Sequence, residues 1–246
     1  LSGNFLNAPQ YFSGLQSDMT TTVIDWTVPI TATTTIFVYD ENFGGPDLCP
    51  EELSFTVTIS DEAVANLVPT IRICDDITND GIAIFDLETL TETTILGTQS
   101  ETSFSITWHT TEQQAIDNVL SFSNPSAFET SSTTVYARIE NNFNNSCFDT
   151  IAIPLFVDAQ PTANAVTTQN ICDDLSGDGV EIIDLTDLSS IVLGSQDAST
   201  FNIDYYPTNG DAISGTNIIA DPTTFNVNGT DTITARIYNS DNNLCA

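Results

Sequence analysis

Apolar and polar residues alternate along most of this chain. The stretches TTTVIDWTV (20–28), SSTTVYARI (131–139) and GTDTITARI (229–237) alternate apolar side chains with polar ones, the period of a strand with one buried face. Their Thr, Val, Ile and Tyr content suits a pleated surface. Helical spacing is rare. It is clearest in DLETLTETTILG (86–97), where Leu87, Leu90 and Ile95 approximate one face, Asp86 or Thr89 can cap the start and Gly97 suits the turn past the end. Gly, Pro and Asn turns separate the segments. The pattern predicts an all-β protein of tandem immunoglobulin-like β-sandwich repeats, with one short helix in each complete module. Trp108 and Tyr205 are expected as inward-facing core aromatics.

The pattern also repeats. Cys74 and Cys172 stand 98 residues apart, as do Cys49, Cys147 and Cys245. Between these anchors FDLETLTETTILG answers IDLTDLSSIVLG, and VYARIENNFNNSC answers ITARIYNSDNNLC. A more divergent copy, with IFVYDENFGGPDLC and SFTVTI, fills the start. Fixed-period similarity of this kind marks an array of similar modules. The boundaries read as an incomplete repeat at 1–60, a linker at 61–67, a repeat at 68–158, a linker at 159–165, and a repeat at 166–246 that lacks its last strand. The chain is expected to be a window on a longer array.

Composition narrows the function classes. Of 246 residues 40% are apolar, enough to bury a core. The 34 acidic residues face three arginines (Arg72, Arg138, Arg236) and no lysine, for a net charge of -31. Such a field repels nucleic acid and anionic membrane surfaces and attracts divalent cations. No apolar run approaches a membrane span, so direct insertion is not expected. The absence of lysine also rules out Lys–Asn isopeptide cross-links.

The cysteines have no Cys-x-x-Cys pair and a single histidine for company, which disfavours zinc. Cys74 to Cys147 and Cys172 to Cys245 have equal separations, and this predicts one disulfide inside each module, with Cys49 pairing upstream of Leu1. Buried free thiols are the other reading. Disulfides would place the chain outside the cytoplasm.

Two acidic phrases match, ICDDITNDGI (73–82) and ICDDLSGDGV (171–180). Asp76, Thr78, Asp80, the Ile82 carbonyl and Asp86 stand at the spacing of calcium ligands, as do Asp174, Ser176, Asp178, the Val180 carbonyl and Asp184. Alternate oxygen donors followed by Gly81 or Gly179 suit a loop that wraps a hard cation. The spacing resembles the loops of dockerin and thrombospondin type 3 modules, though the last acid falls one residue earlier than in an EF-hand. A plain hairpin turn is the competing reading, since Asn-Asp-Gly and Gly-Asp-Gly are strong turn formers.

Nothing marks an active site. His109 is replaced by Tyr206 in the next copy, so shared chemistry cannot depend on it; it reads as a surface or strand residue. Arg138 and Arg236 occupy matching strand positions and are expected to pair with local carboxylates. Asn144 and Asn228 open short glycosylation sequons, and Asp149-Thr150-Ile151 and Asp231-Thr232-Ile233 match the bacterial O-glycosylation acceptor pattern.

The phrase ICDD…NDG…FDL…ILG, then Tyr205, Tyr206 and Ala212, then ARI and a closing cysteine, resembles tandem repeats of very long surface proteins exported by the type IX secretion system of gliding bacteria. The resemblance covers 68–246, and the first copy is similar to a companion repeat of the same proteins. It implies a non-enzymatic segment of an extracellular, cell-surface adhesin, stiffened by calcium and disulfides. Its expected partners are neighbouring repeats and cell-surface glycans or other surface proteins. Spacer modules of a large secreted polysaccharide-degrading enzyme are the alternative.

Overall fold

A computed structural model describes residues 10–14, 23–25, 27–40 and 51–246. Cys49 and its surroundings (41–50) lie outside the described residues. The chain divides into two compact units, one of 1–64, 99–105 and 140–149, the other of 65–98, 106–139 and 150–246. The unit boundaries therefore do not follow the sequence repeat. No helix among the described residues is long and apolar enough to cross a membrane.

In the first unit β1 (Gln10–Phe12), β2 (Thr34–Asp40) and β3 (Glu51–Val57) form an antiparallel sheet in chain order. Alternation puts Phe12, Ile36 and Val38 on its buried face. Phe12 meets Tyr39 edge to face.

The second repeat contributes β4 (Ile71–Cys74), β5 (Ala83–Phe85), α1 (Leu87–Leu96), β6 (Phe104–His109), α2 (Glu112–Asp117), β7 (Phe128–Thr130), β8 (Thr133–Asn141) and β9 (Asn144–Asp158). One sheet has the order β4-β9-β8-β6, and β5 pairs with β7 in another. β4 runs parallel to the end of β9, with Cys74 opposite Asp158. The core takes Phe85, Leu87 and Ile95 from β5 and α1, and Trp108, Ile139 and Leu155 from the larger sheet.

The third repeat follows the same plan with β10 (Val180–Ile183), α3 (Ser189–Leu193), β11 (Phe201–Tyr206), α4 (Asn209–Ser214), β12 (Phe225–Asn228) and β13 (Thr234–Asn239). β10 pairs with β12 and β11 with β13. The architecture is an all-β sandwich, as the alternation predicts.

The helix expected at 86–97 forms, with Asp86 accepting from the Thr89 amide and the Gly97 amide donating to the Thr93 carbonyl. Leu90, placed by spacing on the inner face, is exposed, and Thr91 is buried instead. The second and third repeats each have a second helix that the periodicity does not predict. In α2 the Thr111 side chain accepts from the Gln114 amide, and in α4 Thr208 accepts from Asp211.

The connectors lie down on the module that follows. Gln99 accepts from the Val64 amide and donates to its carbonyl, and Gln196 grips Thr162 in the same way. Asn66 and Asn164 donate to the Ile95 and Val192 carbonyls at the helix ends. Ala159 and Val166 pack against the core of the third repeat.

Candidate functional site

In the second repeat the acidic loop is folded by its own carboxylates. Asp76 accepts from the amide and hydroxyl of Thr78, and Asp80 from the Ile82 amide. These contacts hold the Asp76 carboxyl below the usual range, the Thr78 hydroxyl being the largest cause. Asp75, ahead of the expected ligands, is the buried member: it accepts from the Asp76 and Gly81 amides and so ties the two ends of the loop together. Asn79 then exchanges two hydrogen bonds with the backbone of Gln160, anchoring the loop tip to the connector.

The third repeat forms the same turn, with Asp174 accepting from Ser176, Asp178 from Val180, and Asp173 from Gly179. Here one cluster emerges. Ligand oxygens of Asp173, Asp174 and Glu181 all lie within 4.8 Å of one another. The Glu181 Oε1 atom is buried and has no hydrogen-bond partner. Ala83 stands where Glu181 does, so the second repeat cannot build the same group.

Of the ligands expected from spacing, Asp174 joins this cluster. Asp86 and Asp184 instead cap the helical segments after the loops, accepting from Thr89 and Thr186. Val180 opens β10 opposite Asn228, while Thr78, Ser176, Asp80, Asp178 and Ile82 build the turns. Asp173 and Glu181 stand outside the spacing that picks out the expected ligands. The doubled Asp-Asp was visible in the sequence, but Glu181 arrives on a strand that position counting from Asp174 does not single out.

The disulfide corrects the expected pairing. Cys74 is bonded to Cys245, with Cα atoms 5.3 Å apart and 171 residues between them in sequence. Cys147 and Cys172 are free thiols, one half-buried and one exposed. The bridges Cys74–Cys147 and Cys172–Cys245 are therefore not formed.

The reason lies at the joint. Cys74 ends β4 opposite Asp158, and Asp158 is where the third repeat docks. Arg72 holds the Asp158 carboxylate through both Nε and Nη2, Asn242 donates to it at 3.0 Å, and Arg72 also reaches Asp241 at 3.1 Å. The Arg72 guanidinium lies 4.8 Å over the Phe156 ring. Asn239 donates to the Ala159 carbonyl, and its amide donates to the Cys245 carbonyl. Cys245 is thus delivered to Cys74 by the turn that follows β13. The same grip recurs one repeat earlier, where Asn141 donates to the Asp61 carbonyl.

The remaining candidates are structural. His109 ends β6 and is fully buried, so of the two expected places, surface or strand, it takes the strand: Nδ1 donates to the Val119 carbonyl, leaving Nε2 to accept from Thr107. Burial, reinforced by the charge of Arg138, pushes its pKa down. Arg138 is also buried and donates to the Ala115 and Ile116 carbonyls at the end of α2, and Arg236 donates to the Asn243 carbonyl. These bonds run to backbone oxygens.

A family model described as the Flavobacterium inter-domain disulphide bond domain matches residues 70–161 and again 168–246. No curated protein matches the chain.

Proposed function

This chain belongs to the Flavobacterium inter-domain disulphide bond domain family, and from that premise we propose that it is a non-catalytic segment of a cell-surface adhesin, in which each repeat is stapled to its neighbour so that tension passes along the array without opening it. The observation that carries this reading is the Cys74–Cys245 bond, which joins the start of one family domain to the end of the next. A bond inside a module would protect that module alone. One spanning 171 residues encloses a whole joint, and by the chain-entropy estimate it stabilises the folded state by about 5 kcal/mol.

The disulfide is in keeping with an oxidising compartment outside the cytoplasm. Attachment to the cell surface, export by the type IX route and a part in gliding rest on the sequence resemblance. The partners in this reading are neighbouring repeats, and glycans or proteins on other surfaces.

Pulling on a single chain tests the mechanical claim. Under oxidising conditions the segment between the bridged cysteines cannot extend, and reduction should release about 600 Å of extra contour, at roughly 3.5 Å per residue. Equal contour before and after reduction would defeat the reading.

Calcium belongs to the same proposal, at the third repeat. Asp173, Asp174 and Glu181 offer hard oxygen donors, and the unpartnered Glu181 Oε1 is the feature a cation would satisfy. Millimolar calcium should raise the Tm of the chain, and Glu181→Ala should abolish that rise. A rise that persists in the variant would place the ion elsewhere, and no rise at all would leave the loops as turns.

A further inference from the structure

We propose that His109 is an acid-sensitive latch: when its ring takes up a second proton, α2 and the turn after it (112–122) come away from the sheet while the rest of the second repeat stays folded. Geometry carries the claim. His109 is 0% exposed at the end of β6, with Nδ1 donating to the Val119 carbonyl and Nε2 accepting from the Thr107 hydroxyl, both at 2.9 Å. Arg138, 3% exposed, sends Nη1 to the Ala115 and Ile116 carbonyls at 3.1 and 2.9 Å. Two buried side chains of the sheet thus hold one segment by its backbone oxygens, and histidine is the one that changes charge near neutral pH.

A proton at Nε2 does two things in this site. It forces the Thr107 hydroxyl to turn from donor to acceptor, and it sets a second buried positive charge near the Arg138 guanidinium. Of the charged and titratable groups on the elements around the ring, Glu112 and Asp117 on α2 are exposed, and Tyr136 and Glu140 accompany Arg138 on β8. Arg138 is the one whose charge bears on the imidazole, and it acts in the same direction as burial, which is the larger cause of the lowered pKa. Once 112–122 is released the ring meets water and accepts the proton at its ordinary pKa. Acid below about pH 6.5 therefore favours the released form.

The segment itself is lightly held. α2 has six residues, of which Ala115 alone is buried. Beyond it Asn118 and Leu120 stand at φ 52° and 53°, and Leu120 is 75% exposed, so a bulky side chain occupies left-handed backbone with little burial to offset the strain. Release relaxes both positions. Few buried contacts of this kind mark a part of a fold that opens locally. The third repeat makes the same turn, with the Ile219 amide on the Tyr205 carbonyl as the Phe122 amide is on that of Trp108. There Tyr206 replaces His109 and has no ring nitrogen to protonate. The latch therefore belongs to the second repeat and not to the third.

Amide hydrogen exchange on the 246-residue chain at pH 7.5 and 5.5, corrected for the intrinsic effect of pH on exchange, tests this. Protection at Ala115, Val119 and Phe122 should fall about tenfold at the lower pH. The counterparts Ala212, Thr216 and Ile219, and the amides of β8, should keep theirs. His109→Gln, whose side-chain amide can still donate to the Val119 carbonyl, should remove the fall, and so should His109→Tyr, which installs the third repeat's residue. Protection at 112–122 that ignores pH, or a fall that persists in both variants, would overturn the proposal. So would an equal fall at Ile219, or one shared by β8, because the first would not depend on the histidine and the second would be the whole repeat opening.

Discussion

His109 shows how a single side chain sets the pH range of the fold. It is the only histidine in the chain. It is buried, and its pKa is depressed from the ordinary 6.5, chiefly by burial. Below about pH 6.5 the unfolded chain takes up a proton that the folded chain resists, so stability should fall as the pH drops from 6.5 toward the depressed value and level off beneath it. The depressed carboxylates of Asp76 and Asp174 act in a separate window, contributing above about pH 3.8 and losing that contribution below it. Calorimetry between pH 7.5 and 5 should therefore show a falling Tm in the parent chain and a flatter profile in His109→Gln; equal slopes would contradict this. The sequence showed that His109 is replaced in the next copy and so is not shared chemistry. It could not show the Val119 carbonyl that satisfies Nδ1, because that partner sits ten residues away after a left-handed bend at Asn118.

At the scale of elements the informative unit is the helix end with the connector laid over it. Gly97 (φ 58°) and Gly194 (φ 61°) close α1 and α3 in backbone conformations that side chains rarely adopt. An added Cβ would also stand 2.6 Å from the Asn66 or Asn164 amide that donates to the helix carbonyl. Gly97→Ala should therefore cost about 1–3 kcal/mol from backbone strain and loosen the Asn66 contact as well. Denaturant melts would measure the cost, and hydrogen exchange at Asn66 would report the loosening; a Gly97→Ala chain with unchanged stability and exchange would refute this link. The joint has a matching prediction. Asp158→Ala leaves Arg72 and Asn242 without their shared acceptor and should cost about 2–3 kcal/mol, read from the same melts, with no loss expected if the contact were incidental. The capped helix was legible because Asp86 and Gly97 bracket it. The shorter α2 was not read, although Thr111 with Gln114 is a capping-box spacing, because six residues carry too little periodicity to compete with the strand signal around them. The Gln99 and Gln196 clamps were equally invisible, since they join positions 34 or 35 residues apart.

For the whole molecule, the 98-residue period located the repeats and their strands but misdirected the disulfide. Equal spacing from Cys74 to Cys147 and from Cys172 to Cys245 follows from the repeat itself, so it holds whichever cysteines are joined. What decides the pairing is the parallel register that sets Cys74 beside Asp158, together with the end of β13 and the turn after it, which grip Ala159 and Asp158. Neither is encoded as a local pattern. The three arginines make the test direct, because trypsin cuts the denatured, unreduced chain after Arg72, Arg138 and Arg236. Mass spectrometry should find 73–138 joined to 237–246, with Cys147 and Cys172 as free thiols on 139–236. A bond from 73–138 to 139–236, or from 139–236 to 237–246, would show modules closed on themselves and contradict the stapled array.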